Sequence, residues 1–159
     1  MNSLIEEEFP LAITQRLRYD LLGILTDSDL AYQLPGDNPT LGALCREIGD
    51  AEYSYIRSFA SFKHEWLRDG GAAPGLETSV ARLREWYAAL DADFETVVRG
   101  FSDEDLHSKR VDRGGGFAPS LFVQFQIYRE ALLIFFAKAS VYVKALGKRV
   151  NEEWEIGIG

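Results

Sequence analysis

The stretch VARLREWYAALDADFETVVRGF, residues 80–101, decides the fold. Its apolar side chains fall at Val80, Leu83, Tyr87, Leu90, Phe94, Val97 and Phe101, always three or four residues apart. That spacing lays them on one stripe of a 3.6-residue helix and predicts a helix over about 78–100. Such a stripe must be buried against something, so the rest of the chain has to supply it.

Three further stretches repeat the pattern. Residues 10–26 carry Ile13, Leu17, Leu21 and Ile24 on one stripe, with Pro10 suited to a first helical position because its missing N–H costs nothing there. Residues 40–68 run through Leu41, Cys45, Ile48, Tyr55, Phe59, Phe62 and Trp66. Residues 119–146 are apolar nearly all round, with Phe122, Val123, Phe125, Ile127, Leu132, Leu133, Ile134, Phe135 and Phe136. Between these helices lie residues 34–39, 70–75 and 113–116, all with turn and loop compositions. The expected fold is all-α, an up-and-down four-helix bundle in one domain spanning 1–159, with a core at about 10–147 and a tail at 148–159.

The two halves echo each other. Leu25-Thr26-Asp27-Ser28-Asp29-Leu30 closes the first helix and Phe101-Ser102-Asp103-Glu104-Asp105-Leu106 closes the third. A loop follows each, then Pro39-Thr40-Leu41 or Pro119-Ser120-Leu121, where Thr40 and Ser120 are N-cap candidates. A pseudo-twofold relation between helix pairs is the expected reading. Ser102 with Asp105 has the spacing of a capping box.

Composition bounds the function. The 159 residues carry 25 acidic and 17 basic side chains, a net charge of −8. That sign argues against sequence-independent binding to nucleic acid or to an anionic membrane surface. The longest apolar run, residues 131–137, is far short of the roughly 20 residues a membrane span needs. Nothing near Met1 reads as a signal peptide, so a cytoplasmic location is expected.

At this point the phrases Thr26-Asp27-Ser28-Asp29-Leu30 and Pro39-Thr40-Leu41-Gly42-Ala43-Leu44-Cys45-Arg46-Glu47-Ile48-Gly49-Asp50-Ala51-Glu52 carry a resemblance, together with the long last helix ending Tyr142-Val143-Lys144-Ala145-Leu146-Gly147. The chain resembles the DinB-like superfamily, which includes YfiT-type proteins and thiol-dependent transferases, over about residues 11–147. The resemblance implies a four-helix bundle, often homodimeric, in which many members bind a divalent metal through three histidines. The first of those positions, seven residues after the Thr that opens the second helix, is Glu47 here. The other two, four apart on the last helix, fall on Ala131 and Phe135, counted either from Ser120 or from Gly147. Ala131 and Phe135 have no lone pair to offer a metal. The chain is therefore expected to be a divergent member with no metal and no cofactor.

Other residues do not obviously rebuild a site. His64 and His107 are 43 apart, without the spacing that presents two ligands together. A carboxylate set of Glu47, Asp50 and Glu52 suits a hard cation in residue type, but Glu47 and Glu52 diverge around a helix. Glu52 occupies the seam between Ile48 and Tyr55. It is either a pocket acid or base, or a buried carboxylate paired with Arg16, Arg18 or a tyrosine, and the paired reading is preferred. Cys45 has no base nearby and reads as a buried structural thiol rather than a nucleophile. The Gly114-Gly115-Gly116 run lacks the Lys-Ser/Thr ending of a phosphate loop and reads as a connector. Trp66, Trp86, Tyr87, Phe94 and Phe136 could line a ligand cavity but suit an ordinary core.

Three functions remain open. The chain binds a small apolar or thiol ligand without metal chemistry, or it is a dimeric interaction module, or it is a transferase or hydrolase with an altered site around Glu47 and Glu52. The fourth helix bears on the second. Phe122, Phe125, Leu133 and Phe136 spread beyond any one stripe, so a homodimer through that helix is expected. Loops, or the Trp154-Glu155-Ile156 tail, are the alternative cover.

Overall fold

Hydroxyl caps open three of the four long helices. Thr40 Oγ1 accepts from the Ala43 N–H at 3.1 Å, Ser79 Oγ from Arg82 at 3.4 Å and Ser120 Oγ from Val123 at 3.2 Å. Each satisfies a backbone donor that the first turn leaves without a helical partner. The computed structural model describes residues 2–6, 11–68 and 74–158. In chain order the helices are α1 (Ser3–Glu6), α2 (Leu11–Ile24), α3 (Leu41–Ser61), α4 (Val80–Arg99), α5 (Asp103–Ser108), α6 (Leu121–Ala145) and α7 (Glu152–Ile158). Short 3-10 turns occupy Asp27–Ala31 and Leu76–Thr78. Among the described residues there is no strand, only isolated bridges.

Helices α2, α3, α4 and α6 form the bundle. Helix α3 packs along both α4 and α6, and α2 also touches both. The α4 stripe behaves as its spacing requires: Leu83, Tyr87, Leu90 and Phe94 are buried, with Val80 and Val97 partly so. Phe94 meets the rings of Phe59 on α3 and of Phe125 and Tyr128 on α6, and Leu44, Ile48 and Tyr55 of α3 and Leu132 and Phe136 of α6 are buried in the same core. Pro10 and residues 70–73 of the second linker lie outside the described residues.

The repeated plan is visible in three dimensions. Thr26 with Asp29 and Ser102 with Asp105 both make capping boxes, and Leu30 and Leu106 are buried beneath them. In each half a bridge then forms just before the next long helix, Gln33 with Thr40 and Arg110 with Ser120. The Leu41 N–H donates to the Tyr32 carbonyl at 2.8 Å, as the Leu121 N–H does to Lys109 at 3.2 Å.

Helix α3 ends at Ser61, short of the expected Arg68. Phe62 takes a left-handed conformation with φ 58°, uncommon for a side chain other than glycine. The chain then pairs with the loop before α6. The Asp112 N–H donates to the Phe62 carbonyl at 2.9 Å, and the His64 N–H to the Asp112 carbonyl at 2.8 Å. Apolar spacing through Phe62 and Trp66 suggested more helix, but this long-range pairing captures the backbone instead. His64 therefore sits beyond α3, and His107 lies on α5.

Part of the apolar circumference of α6 is covered within the chain. Phe125 and Phe136 are fully buried within one chain, while Phe122 is half-buried against His107, with ring centroids 5.2 Å apart. Phe136 is covered by the buried Trp154 of α7, centroid to centroid 5.1 Å. Helices α5 and α7 thus cover sides of α6 that a four-helix count leaves bare. Arg16 of α2 pairs with Glu153 and ties the tail down further.

Candidate functional site

A cleft of about 790 Å³ opens between the first half of α3, the middle of α6 and residues 66–68. Glu47, Ala131 and Phe135 all line it. Helical geometry explains why. Ala131 and Phe135 are one turn apart on the same face of α6, which meets α3 near Leu44, Ile48 and Ala51. Phe135 is buried and forms wall, whereas Glu47 is exposed at the mouth. Trp66, 64% exposed, and Ile134 add apolar surface at the rim.

Charges of both signs surround this apolar surface: Arg46, Arg68 and Lys138 with Glu47, Asp50 and Glu77. Arg46 holds two of the acids, Asp50 at 3.7 Å one turn along α3 and Glu77 at 3.5 Å across the cleft edge. Glu77 reaches there because the Leu76–Thr78 turn presses on α3 at Gly42.

A divalent ion of the kind implied by the resemblance does not fit these residues. Of the three positions only Glu47 bears a donor, and Asp50 is engaged by Arg46. Among the described residues, no three His, Cys, Asp or Glu side chains lie together so as to hold a metal ion.

Glu52 is elsewhere. It is fully buried and does not line the cleft; five residues along α3 from Glu47, it points to a different side of the helix. Its carboxylate accepts from Gln15 Nε2 at 2.8 Å and from Arg18, which also grips Asp91. Arg16, the other expected partner, is on the surface with Glu153. Tyr19 donates to Asp91, and the Arg18 guanidinium lies 4.4 Å from the centre of the Tyr87 ring. One buried cation thus serves two carboxylates and joins α2, α3 and α4. Burial raises the Glu52 carboxyl above its ordinary range, the Arg18 charge opposes this, and Asp91 adds to the rise.

Cys45 is buried in the core and does not line the cleft either. Burial pushes its thiol up to about 12, so it stays protonated at neutral pH and is a poor nucleophile. The Tyr87 hydroxyl donates to its backbone carbonyl. The three glycines at 114–116 all have positive φ and form a turn that carries residues 109–113 back toward Ser120. Of the five aromatic candidates only Trp66 reaches the cleft; Tyr87, Phe94 and Phe136 are core and Trp86 packs over Gly49.

His64 is half-buried beside the cleft, between Tyr55 at 4.8 Å and Trp66 at 4.6 Å. The buried Gln124 side chain organises it. Its amide nitrogen donates to Ser58 Oγ at 2.9 Å and lies 3.1 Å from His64 Nδ1, while its carbonyl accepts from Arg113 at 2.8 Å. Burial, then the Arg113 charge, push the imidazole down to about 4. The folded state therefore resists a proton that the unfolded chain takes up near its ordinary value of 6.5. The resulting penalty is absent above pH 6.5 and grows as pH falls toward 4. His64→Asn should accordingly lose less stability than wild type across that window in urea titrations; equal losses would contradict the assignment.

Comparison with known proteins fixes the family. The family model described as the DinB superfamily matches residues 11–131. The chain belongs to the DinB superfamily. That match takes in Glu47 and ends at Ala131, four residues before Phe135. The fold of this DinB-superfamily chain is similar to that of a crystallised DinB-like protein from Bacillus cereus. The two share 19% identity over 87% of this chain and 89% of the other, with a TM-score of 0.70. No curated protein matches the chain. Among the described residues no helix is long and apolar enough to cross a membrane.

Proposed function

We propose that this DinB-superfamily protein binds a small amphipathic molecule in the cleft between α3 and α6, and does so without a metal ion. The observation that carries the reading is that Glu47, Ala131 and Phe135 line one cleft of about 790 Å³, a size typical of small-molecule sites. Phenylalanine and alanine in place of donors make part of its lining apolar, while Arg68, Lys138 and Glu47 add charge to it. Such a lining favours a ligand with an apolar or thiol-bearing body and a head carrying charge. A transferase or hydrolase using Glu47 with Glu52 finds no support in their placement, since Glu52 is enclosed with Arg18 away from the cleft.

Reduced glutathione and octanoate serve as thiol and apolar probes in calorimetric titration. One of them should bind, and Ala131→Trp, which sets an indole into the cleft, should abolish that binding with little change in melting temperature. Binding that survives Ala131→Trp, or no binding by either probe, would count against the reading.

A further inference from the structure

Trp66 lies open to water at the cleft, yet it is held in place. Before it the His64 N–H donates to the Asp112 carbonyl at 2.8 Å, and after it the Leu67 N–H donates to Ser54 Oγ at 2.9 Å. Its indole meets the rings of Tyr55 and His64 nearly at right angles, with centroids 6.0 and 4.6 Å away. An aromatic surface fixed in this way has little freedom left to lose when a flat molecule is laid against it. Ile134 of α6 is the second exposed apolar side chain in the lining. Each of the two has a cation close by. Arg68 follows Trp66 by two residues, and Lys138 stands one turn beyond Ile134 on the same face of α6. Both cations line the cleft and are exposed, and among the described residues no acid pairs with either. The acids differ, because Arg46 engages Asp50 and Glu77. Among the described residues, two unengaged cations thus share the cleft with one unengaged acid, Glu47.

We propose that the cleft selects an aromatic monocarboxylate, with Trp66 as the platform for its ring and Arg68 and Lys138 as the partners of its head. This rests on the reading of the cleft as a small-molecule site and names the class of molecule. A ring laid on Trp66 removes from water an apolar surface that the free protein leaves open. The carboxylate gains charge-assisted hydrogen bonds, which are about twice as strong as neutral ones, from a planar guanidinium and from an ammonium. An amine on the same ring has a weaker case. Trp66 would attract it, as would Glu47, but both unengaged cations would repel it. A neutral head meets neither cost nor gain, so it measures the contribution of the ring alone. Octanoate has the head without the ring and measures the contribution of charge. The single excess charge among the unengaged groups favours a monoanion over a dianion.

Calorimetric titration of the full chain with 2-naphthylacetate, 2-(2-naphthyl)ethanol and 2-(2-naphthyl)ethylamine tests it, beside octanoate and with circular dichroism to check that each variant folds. The acid should bind about tenfold or more tighter than the alcohol, and the amine should bind no tighter than the alcohol. Trp66→Leu should weaken acid and alcohol alike by about tenfold while leaving octanoate little changed. Arg68→Gln combined with Lys138→Gln should bring the acid down to the alcohol and leave the alcohol where it was. An alcohol or amine that binds as tightly as the acid, an acid preference that survives loss of both cations, or naphthyl binding indifferent to Trp66→Leu would overturn the proposal. In each of those cases binding that Ala131→Trp abolishes would leave the cleft a small-molecule site. Octanoate bound without any naphthyl compound would overturn the proposal in the same limited way. No binding by any of the four would overturn both.

Discussion

Replacing Arg18 with methionine is expected to destabilise the protein by about 3–5 kcal/mol, because it strands two carboxylates around a buried position. The Arg18 side chain is fully buried, as is Glu52, and Asp91 is only slightly open. Methionine fills much of the volume but offers no charge and no donor. Glu52 then keeps the Gln15 hydrogen bond alone. The deficit should also depend on pH. Burial already raises the Glu52 carboxyl, and Arg18 is the charge that opposes the rise. Without it the carboxyl rises further, so the folded variant keeps a proton that folded wild type releases near 7, and the deficit relative to wild type grows as pH rises from about 6 to about 8. Glu52→Gln, which keeps size and polarity, should cost only about 1–3 kcal/mol. Urea denaturation at both pH values measures each; a deficit below about 1 kcal/mol for Arg18→Met would mean that the network contributes little.

Gly42→Ala is the second large effect, expected to cost about 3 kcal/mol or more by overpacking. A Cβ at Gly42 would sit 1.9 Å from the Glu77 carbonyl oxygen and 3.1 Å from that of Leu30, both backbone atoms. The start of α3 and the Leu76–Thr78 turn would have to separate, and with them the Arg46–Glu77 edge of the cleft. Gly49→Ala makes a useful contrast. Its Cβ would meet the Trp86 ring at 2.2 Å, a side chain that is only partly buried and can swing aside. Alanine also favours helix over glycine by about 1 kcal/mol, which offsets part of either cost. Thermal unfolding should rank Gly42→Ala well below Gly49→Ala; the reverse order would contradict the packing described.

The four long helices were legible because each has an amphipathic or apolar period longer than any competing signal. The caps at Thr40 and Ser120 and the Ser102–Asp105 box were legible because they are local chemistry. The end of α3 was not. Phe62 and Trp66 keep helical spacing, and only the pairing of residues 62–64 with Asp112, some 50 positions away, shows why the helix stops. The cover of Phe136 by Trp154 was legible only as an alternative to a second copy, since α5 and α7 are too short to stand out as periodic segments. For the cleft, the family resemblance pointed to Glu47, Ala131 and Phe135, and Trp66 stood among five aromatic candidates, but nothing marked Arg68 or Lys138. Those come together only through the turn after α3 and the register of α6 against it. Glu52 was recognised as anomalous from its seam position. Asp91 and Gln15, which complete its environment, carry no local mark in the sequence.

Stoichiometric metal content tests the central claim most directly. Elemental analysis of the protein, purified without chelators and passed through gel filtration, should find divalent metal far below one equivalent per chain, because Glu47 stands alone as a donor beside Ala131 and Phe135. One tightly held equivalent of zinc, nickel, manganese or iron per chain would contradict the account and return metal chemistry to the cleft.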